Sequence, residues 1–214
     1  MLITYLIWDA GGTLFDTYPA VVEAARAALV ACGAPVPSPG EVMPLFRKSV
    51  AHGLHVLAVE ADLDEAAFAE RFWAQYEDTD PAHQPPFPGV VEVCRFMRAQ
   101  GGQNFIVTHR ERPLLDVLLD AHRMAVYFTD CITQEDGYPR KPDPTSILAL
   151  LARHDLDPKR GLVIGDRALD MLAARAAEVR ACFLGAALIP GSESAVLTVT
   201  DYADLLSFIQ EENT

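Results

Sequence analysis

Basic residues are scarce in this chain: 17 lysines and arginines stand against 30 aspartates and glutamates, a formal charge of -13. So acidic a surface repels phosphate backbones and anionic membrane faces over long range, and neither nucleic acid nor membrane is expected as a partner. A small anionic ligand stays compatible, because a metal ion and one or two placed cations reverse the field locally inside a cleft. Cysteine is sparse as well. Cys32, Cys94, Cys131 and Cys182 are far apart and form neither a CxxC pair nor a Cys/His cluster, which argues against a zinc or redox site and for four small core hydrophobes. Long apolar runs, internal repeats and low-complexity tracts are missing too. The opening MLITYLIWDA has no basic leader and runs at once into an aspartate and two glycines, unlike a secretory signal or a membrane span, so a soluble, cytoplasmic protein is expected.

What is present is ample apolar material: half of the 214 residues are hydrophobic, enough for one sizeable core and a small insertion. Residues 2–8 read as a buried strand ended by Asp9 and the Gly11-Gly12 pair. Three helical stretches follow: Pro19 to Cys32, about Glu41 to Glu60, and Asp64 to Tyr76. No strand interrupts them, and the proline-dense PAHQPPFPG at 81–89 reads as a return linker.

From there strand and helix alternate. Strands are expected at Asn104–Thr108, Tyr127–Thr133, Gly161–Gly165 and Arg180–Leu184. Helices are expected around Val90–Met97, Leu114–Leu119, Ile147–Leu151, Leu169–Ala177 and Tyr202–Ile209. The pattern predicts an α/β fold, a Rossmann-like parallel sheet with helices on both faces, plus a small all-helical lobe inserted after the first strand. The expected domains are residues 1–16 with 87–214 for the α/β core and residues 17–86 for the lobe.

In such sheets a ligand binds at the carboxyl ends of the strands. Four polar groups fall there: Asp9, Thr108-His109-Arg110, Arg140-Lys141, and Asp166 with Asp170. Each alone has an ordinary account as a loop, strand-end or helix-cap residue; their convergence on one edge points to a site. Gly11 and Gly12 offer bare backbone amides to an anion. The Thr108 hydroxyl suits a phosphoryl oxygen, and Lys141 suits the space between an aspartate and a phosphate. Asp166 and Asp170, one helical turn apart, suit Mg²⁺, which takes few carboxylates and keeps several waters. His52 and His55 sit at helical spacing without a carboxylate partner evident in sequence, and packing or surface is their expected place.

The ordered set DAGGTLFD at 9–16, FIVT ending at Thr108, RKPDP around Lys141 and GDRALD at 165–170 resembles the four motifs of the haloacid dehalogenase superfamily, and the inserted helices resemble its cap. The resemblance covers the whole chain and is nearest the phosphoglycolate-phosphatase-like branch. It implies a Mg²⁺-dependent phosphatase acting on a small phosphorylated metabolite. Asp9 would be the nucleophile that forms an aspartyl-phosphate, with Thr108 holding the phosphoryl group and Lys141 pairing with both. Substrate contacts would come from Gly11, Gly12, Thr108, His109 and Lys141, and metal contacts from Asp9, the Gly11 carbonyl, Asp166 and Asp170. One departure stands out. Phosphatases of this superfamily carry a second aspartate two positions after the nucleophile as general acid and base, and here that position is Gly11. His109, Asp16, Lys48, His52 and His55 are the candidates to replace it, His109 first. The resemblance also leaves room for a phosphonate-cleaving enzyme, for which Lys48 is the only lysine of the insertion, or for a non-catalytic phosphate-binding protein.

Overall fold

The computed structural model describes residues 2–186 and 188–214. The chain divides into two compact units, Asp16–Pro85 on the one hand and the residues up to Phe15 with Pro86–Thr214 on the other. The first is all helical: α1 (Tyr18–Ala31), α2 (Pro39–Lys48), α3 (Val50–Glu60) and α4 (Glu65–Glu77). Its interior is made by the apolar stripes of those helices, with Val21, Leu29, Phe46, Leu57, Phe68 and Phe72 fully or nearly fully buried. The helical stretch expected from Glu41 to Glu60 is two helices, not one. Ser49 adopts an extended backbone (φ -170°, ψ 159°) and its side chain accepts a hydrogen bond from the His52 amide at 3.0 Å. A serine that caps the next helix ends the one before it, a signal the apolar periodicity on either side conceals.

The second unit is a six-stranded sheet in which every neighbouring pair is parallel. Its strands are β1 (Tyr5–Trp8), β2 (Gln103–Val107), β3 (Phe128–Ile132), β4 (Gly161–Gly165), β5 (Arg180–Leu184) and β6 (Leu197–Val199), in the spatial order β3-β2-β1-β4-β5-β6. Four helices lie between strands, α5 (Val90–Ala99), α6 (Arg112–Ala121), α7 (Thr145–Arg153) and α8 (Ala168–Ala176), and α9 (Tyr202–Glu212) follows β6. Successive strand residues point to opposite faces. Leu6, Trp8, Ile106 and Ile164 meet α5, α6 and α9, while Tyr5, Ile7, Phe105 and Val163 meet α7 and α8. Both faces are therefore covered, which is why β1 and β4 read as continuous apolar runs rather than alternating ones. The fold is α/β and Rossmann-like, as expected. The short strand β6 was not anticipated, since three residues at a sheet edge carry too little pattern to register.

The strand order fixes where a ligand belongs. The chain leaves β1 toward β2 and β3, then returns to the other side of β1 as β4, so the topological switch point lies between β1 and β4. Trp8 is in register with Ile164, which brings the residues after these two strands, Asp9 and Asp166, to the same place. Among the described residues no helix is long and apolar enough to cross a membrane.

Candidate active site

Asp9 follows β1 directly, and its amide donates to the Ile164 carbonyl at 2.9 Å. The loop that follows turns through Gly12, whose φ of 82° is open to glycine at little cost. The amides of Leu14 and Phe15 return to the Ala10 carbonyl at 2.9 and 3.0 Å. The loop is braced from two sides. The Thr13 hydroxyl donates to Asp166 Oδ1 at 3.3 Å, and the Tyr202 hydroxyl at the start of α9 donates to the Thr13 carbonyl. The Tyr202 ring stacks on Trp8 with centroids 6.1 Å apart, and Trp8 Nε1 donates to the buried Asn104 at 3.1 Å.

Lys141 comes from the loop between β3 and α7 and is buried to 5 % exposure. Its ammonium group donates to Asp9 Oδ1 at 2.7 Å and to the Val107 carbonyl at 3.0 Å, and it is ion-paired with Asp170 Oδ1 at 2.5 Å. Burial alone would push the Asp9 carboxyl up, but Lys141 and then Arg167 beside it outweigh that and hold it below the usual carboxylate range. Burial would likewise lower the Lys141 ammonium, and the Asp170 and Asp9 charges raise it instead. Asp170 goes the other way: burial lifts its carboxyl above the ordinary value, the lysine's opposing pull being insufficient. The picture is a lysinium held against an ionised Asp9.

Asp170 has a second task. Its Oδ2 accepts the Arg167 backbone amide at 3.2 Å and so caps α8. The close approach demands Gly165, where a Cβ would stand 2.5 Å from the Asp170 side chain. Arg167 itself turns inward, its guanidinium 3.3 Å from Asp9 Oδ2, 4.0 Å from Asp166 Oδ1 and 3.9 Å from Asp170 Oδ2.

Thr108 is buried at the end of β2, where its hydroxyl oxygen accepts the Arg110 amide at 3.1 Å, leaving the hydroxyl hydrogen to donate elsewhere. A cleft beside it is lined by Thr108, His109, Thr133, Tyr138, Arg140 and Ser146. Two expectations do not survive the geometry. Gly12 was expected to offer its amide to an anion, but that amide donates to the Phe15 carbonyl at 2.9 Å. His109 was the first candidate for the missing acid, but its Nε2 accepts the Lys141 backbone amide at 2.8 Å. Burial first, and then the charges of Lys141 and Arg140, push its pKa down to about 3. The ring is neutral near pH 7, its proton is on Nδ1, and it has no acidic proton to give.

In the helical unit, Lys48 closes α2 at the surface, and His52 and His55 lie on α3. His55 Nδ1 is 2.8 Å from Glu65 Oε2, both side chains exposed. Asp16 is partly buried, and burial raises its carboxyl more than Arg47 lowers it. Sequence reasoning missed Thr13, Arg167 and Tyr202. Thr13 and Arg167 lay within quoted motifs as unassigned positions, and nothing in the sequence linked Tyr202 to a loop 189 residues away.

The sequence profile of the haloacid dehalogenase-like hydrolases matches residues 6–184. The chain belongs to that family. A phosphoglycolate phosphatase from Cupriavidus necator is 30 % identical over 185 residues, covering 85 % of this chain and 80 % of the relative. A phosphoglycolate phosphatase from Caulobacter vibrioides is 31 % identical over 180 residues, covering 81 % and 76 %. In fold, the chain matches the crystal structure of a predicted phosphoglycolate phosphatase from Haemophilus somnus with a TM-score of 0.84, at 21 % identity and covering 96 % and 97 % of the two chains.

Hydrolases of this family that act on phosphates generally use Mg²⁺, and the donor set here fits such an ion. Asp9, Asp166 and Asp170 each offer a carboxylate oxygen, and the three oxygens lie within 4.8 Å of one another. They are hard oxygen donors suited to a hard divalent cation. Two cationic side chains, Lys141 and Arg167, face the three carboxylates.

Proposed function

We propose that this hydrolase is a Mg²⁺-dependent phosphatase acting on a small phosphorylated metabolite, with Asp9 as nucleophile. The observation that carries the reading is the buried Lys141 bridge between Asp9 and Asp170: a lysinium engaged with an ionised aspartate at the switch point of a parallel sheet. The names of the curated relatives support a small phosphate ester, phosphoglycolate among them. Asp9, Asp166 and Asp170, with the Gly11 carbonyl, would hold the ion, whose bound charge offsets that of the phosphoryl oxygens. Residues Asp16–Pro85 would serve as the cap that selects the substrate.

In this scheme Asp9 attacks phosphorus, the bond to the ester oxygen breaks, and an aspartyl-phosphate forms. Lys141 orients Asp9 and balances charge on the transferring group. Thr108 donates its hydroxyl hydrogen to a phosphoryl oxygen, and the Nδ1 hydrogen of His109 is a second donor. Water then cleaves the aspartyl-phosphate. Protonation of the leaving oxygen and activation of that water have no carboxylate at position 11. A placed acid or base is worth about 10²- to 10⁴-fold, so turnover should depend steeply on leaving-group stability, with acyl and aryl phosphates ahead of alkyl phosphates.

The test is turnover with Mg²⁺ on an acyl phosphate, an aryl phosphate and phosphoglycolate, by wild type, Asp9→Asn and Gly11→Asp. Asp9→Asn should lose all turnover, and Gly11→Asp should raise alkyl phosphate hydrolysis by up to about 10²- to 10⁴-fold. Backbone conformation does not obstruct the second variant, since the left-handed glycine of the loop is Gly12 and not Gly11. Retained turnover in Asp9→Asn would show that another residue attacks. Ligand-dependent stabilisation without any turnover would make the protein a binder and not an enzyme.

A further inference from the structure

Lys141 and Arg167 divide the carboxylate oxygens between them. Lys141 engages Asp9 Oδ1 and Asp170 Oδ1, at 2.7 and 2.5 Å. Arg167 faces three others, Asp9 Oδ2 at 3.3 Å, Asp170 Oδ2 at 3.9 Å and Asp166 Oδ1 at 4.0 Å. The oxygens left over by the lysine are those a divalent cation would draw on, and the guanidinium stands among them. Two cations cannot share the same few oxygens without strong repulsion, and Mg²⁺ binds oxygen at about 2.0–2.1 Å, closer than any guanidinium contact.

Of the charged side chains in the cluster, that of Arg167 is the most exposed. Its side chain is 18 % exposed, whereas those of Asp9, Asp166 and Asp170 are 1 %, 3 % and 0 % exposed. Its backbone is anchored separately, its amide donating a hydrogen bond to Asp170 Oδ2 at 3.2 Å, in an extended conformation at the start of α8. Rotation about the side-chain bonds would carry the guanidinium away from the carboxylates and leave this backbone anchor in place.

We propose that Arg167 is a built-in counter-cation that competes with the divalent ion for the Asp9, Asp166 and Asp170 cluster, so that metal loading requires the guanidinium to swing out. This rests on the metal reading of the cluster given above. In the metal-free protein the arginine relieves repulsion among three converging carboxylates. Metal affinity is therefore lowered by the fraction of molecules in which the guanidinium is in place. The device keeps the cluster folded when the ion is absent and makes loading responsive to the free Mg²⁺ concentration.

The experiment is calorimetric titration of MgCl₂ into wild type, Arg167→Ala, Arg167→Gln and Asp166→Ala, with thermal unfolding followed in parallel. Both Arg167 variants should bind Mg²⁺ roughly tenfold more tightly or better. They should also melt below wild type without Mg²⁺ and gain more from its addition, while Asp166→Ala should lose the binding heat. Arg167→Gln keeps the side-chain length, and circular dichroism identifies a misfolded variant. A measurement on the unaltered protein stands beside these: in ¹⁵N-labelled wild type, the Arg167 Nε–H should exchange with solvent faster once Mg²⁺ is added. Equal or weaker Mg²⁺ binding in the Arg167 variants, or an Nε–H that Mg²⁺ leaves unchanged, would overturn the competition while the metal site stands. No Mg²⁺ binding by wild type or by either Arg167 variant would overturn the metal reading and the competition together.

Discussion

In the helical unit the interior is aromatic and aliphatic: Phe46 stacks on Phe72 and Phe72 on Tyr76, each pair with ring centroids 5.7 Å apart. Among its described residues the buried polar side chains are Thr17 and Gln84, neither charged. The α/β unit buries Asp9, Lys141, Asp166 and Asp170 within one cluster, along with Thr13, Asn104 and Thr108. Ionised groups are costly to desolvate, so a unit whose sole need was stability would have no use for them. The difference teaches where chemistry is located: one unit buries only neutral polar side chains, among them Gln84, which accepts from the Tyr76 hydroxyl at 2.9 Å, and the other accepts buried charge at the edge where its strands end.

Substitutions in the two units test that contrast. The largest expected effect is at Lys141. Lys141→Met leaves Asp9 and Asp170 buried without their cation and should cost about 3–5 kcal/mol in urea unfolding. Adding Asp170→Asn to it should recover part of the loss, because a removed charge no longer needs the lysine. If the double variant is no more stable than the single, repulsion is not the cause. Next is Phe72→Ala in the helical unit, expected to cost about 3 kcal/mol through lost burial and a cavity. That loss should be indifferent to added MgCl₂, whereas a Mg²⁺-dependent loss would tie the aromatic core to the charged cluster and break the comparison.

The smallest effect is expected at Asp130, a partly exposed carboxylate of the α/β unit far from the cluster in character. It accepts from Arg153 and lies against His154, both at 2.8 Å. Partial burial would raise its carboxyl, but the hydrogen bonds from His154 and Arg153 outweigh that and lower it. A depressed carboxylate stabilises above its unfolded pKa of about 3.9 and loses that contribution as pH falls through the folded value. Asp130→Asn should therefore cost at most about 1 kcal/mol at pH 7, and the difference from wild type should fade as pH drops below about 4. A difference that grew on acidification would reverse the sign and refute the account.

Much of the fold was legible because β1 and β4 are short apolar runs bounded by turn residues, β2 and β5 are largely apolar, and the helices between strands carry apolar stripes. The strand ends then named Asp9, Thr108, Lys141, Asp166 and Asp170 as neighbours, since a parallel sheet leaves its loops on one edge. What stayed hidden depends on where a side chain or an amide turns. Arg167 stood unassigned inside GDRALD, yet it reaches a carboxylate 158 residues away in sequence. His109 read as the first candidate for the missing acid, but its Nε2 accepts a backbone amide. The break at Ser49 was hidden because helical periodicity resumes in phase with another helix.

The Trp8 stack has a use beyond packing. The chain holds two tryptophans, one in each unit: Trp8 is fully buried, and Trp73 on α4 is 37 % exposed. Trp8 immediately precedes Asp9, lies against Tyr202 and is hydrogen-bonded to Asn104, so its emission is that of an enclosed indole next to the charged cluster. Trp73→Phe would leave that single fluorophore, and Trp8→Phe would leave the other. The two optical signals, recorded along one denaturation curve, tell whether the two units melt as one cooperative body or as two, without any label being attached.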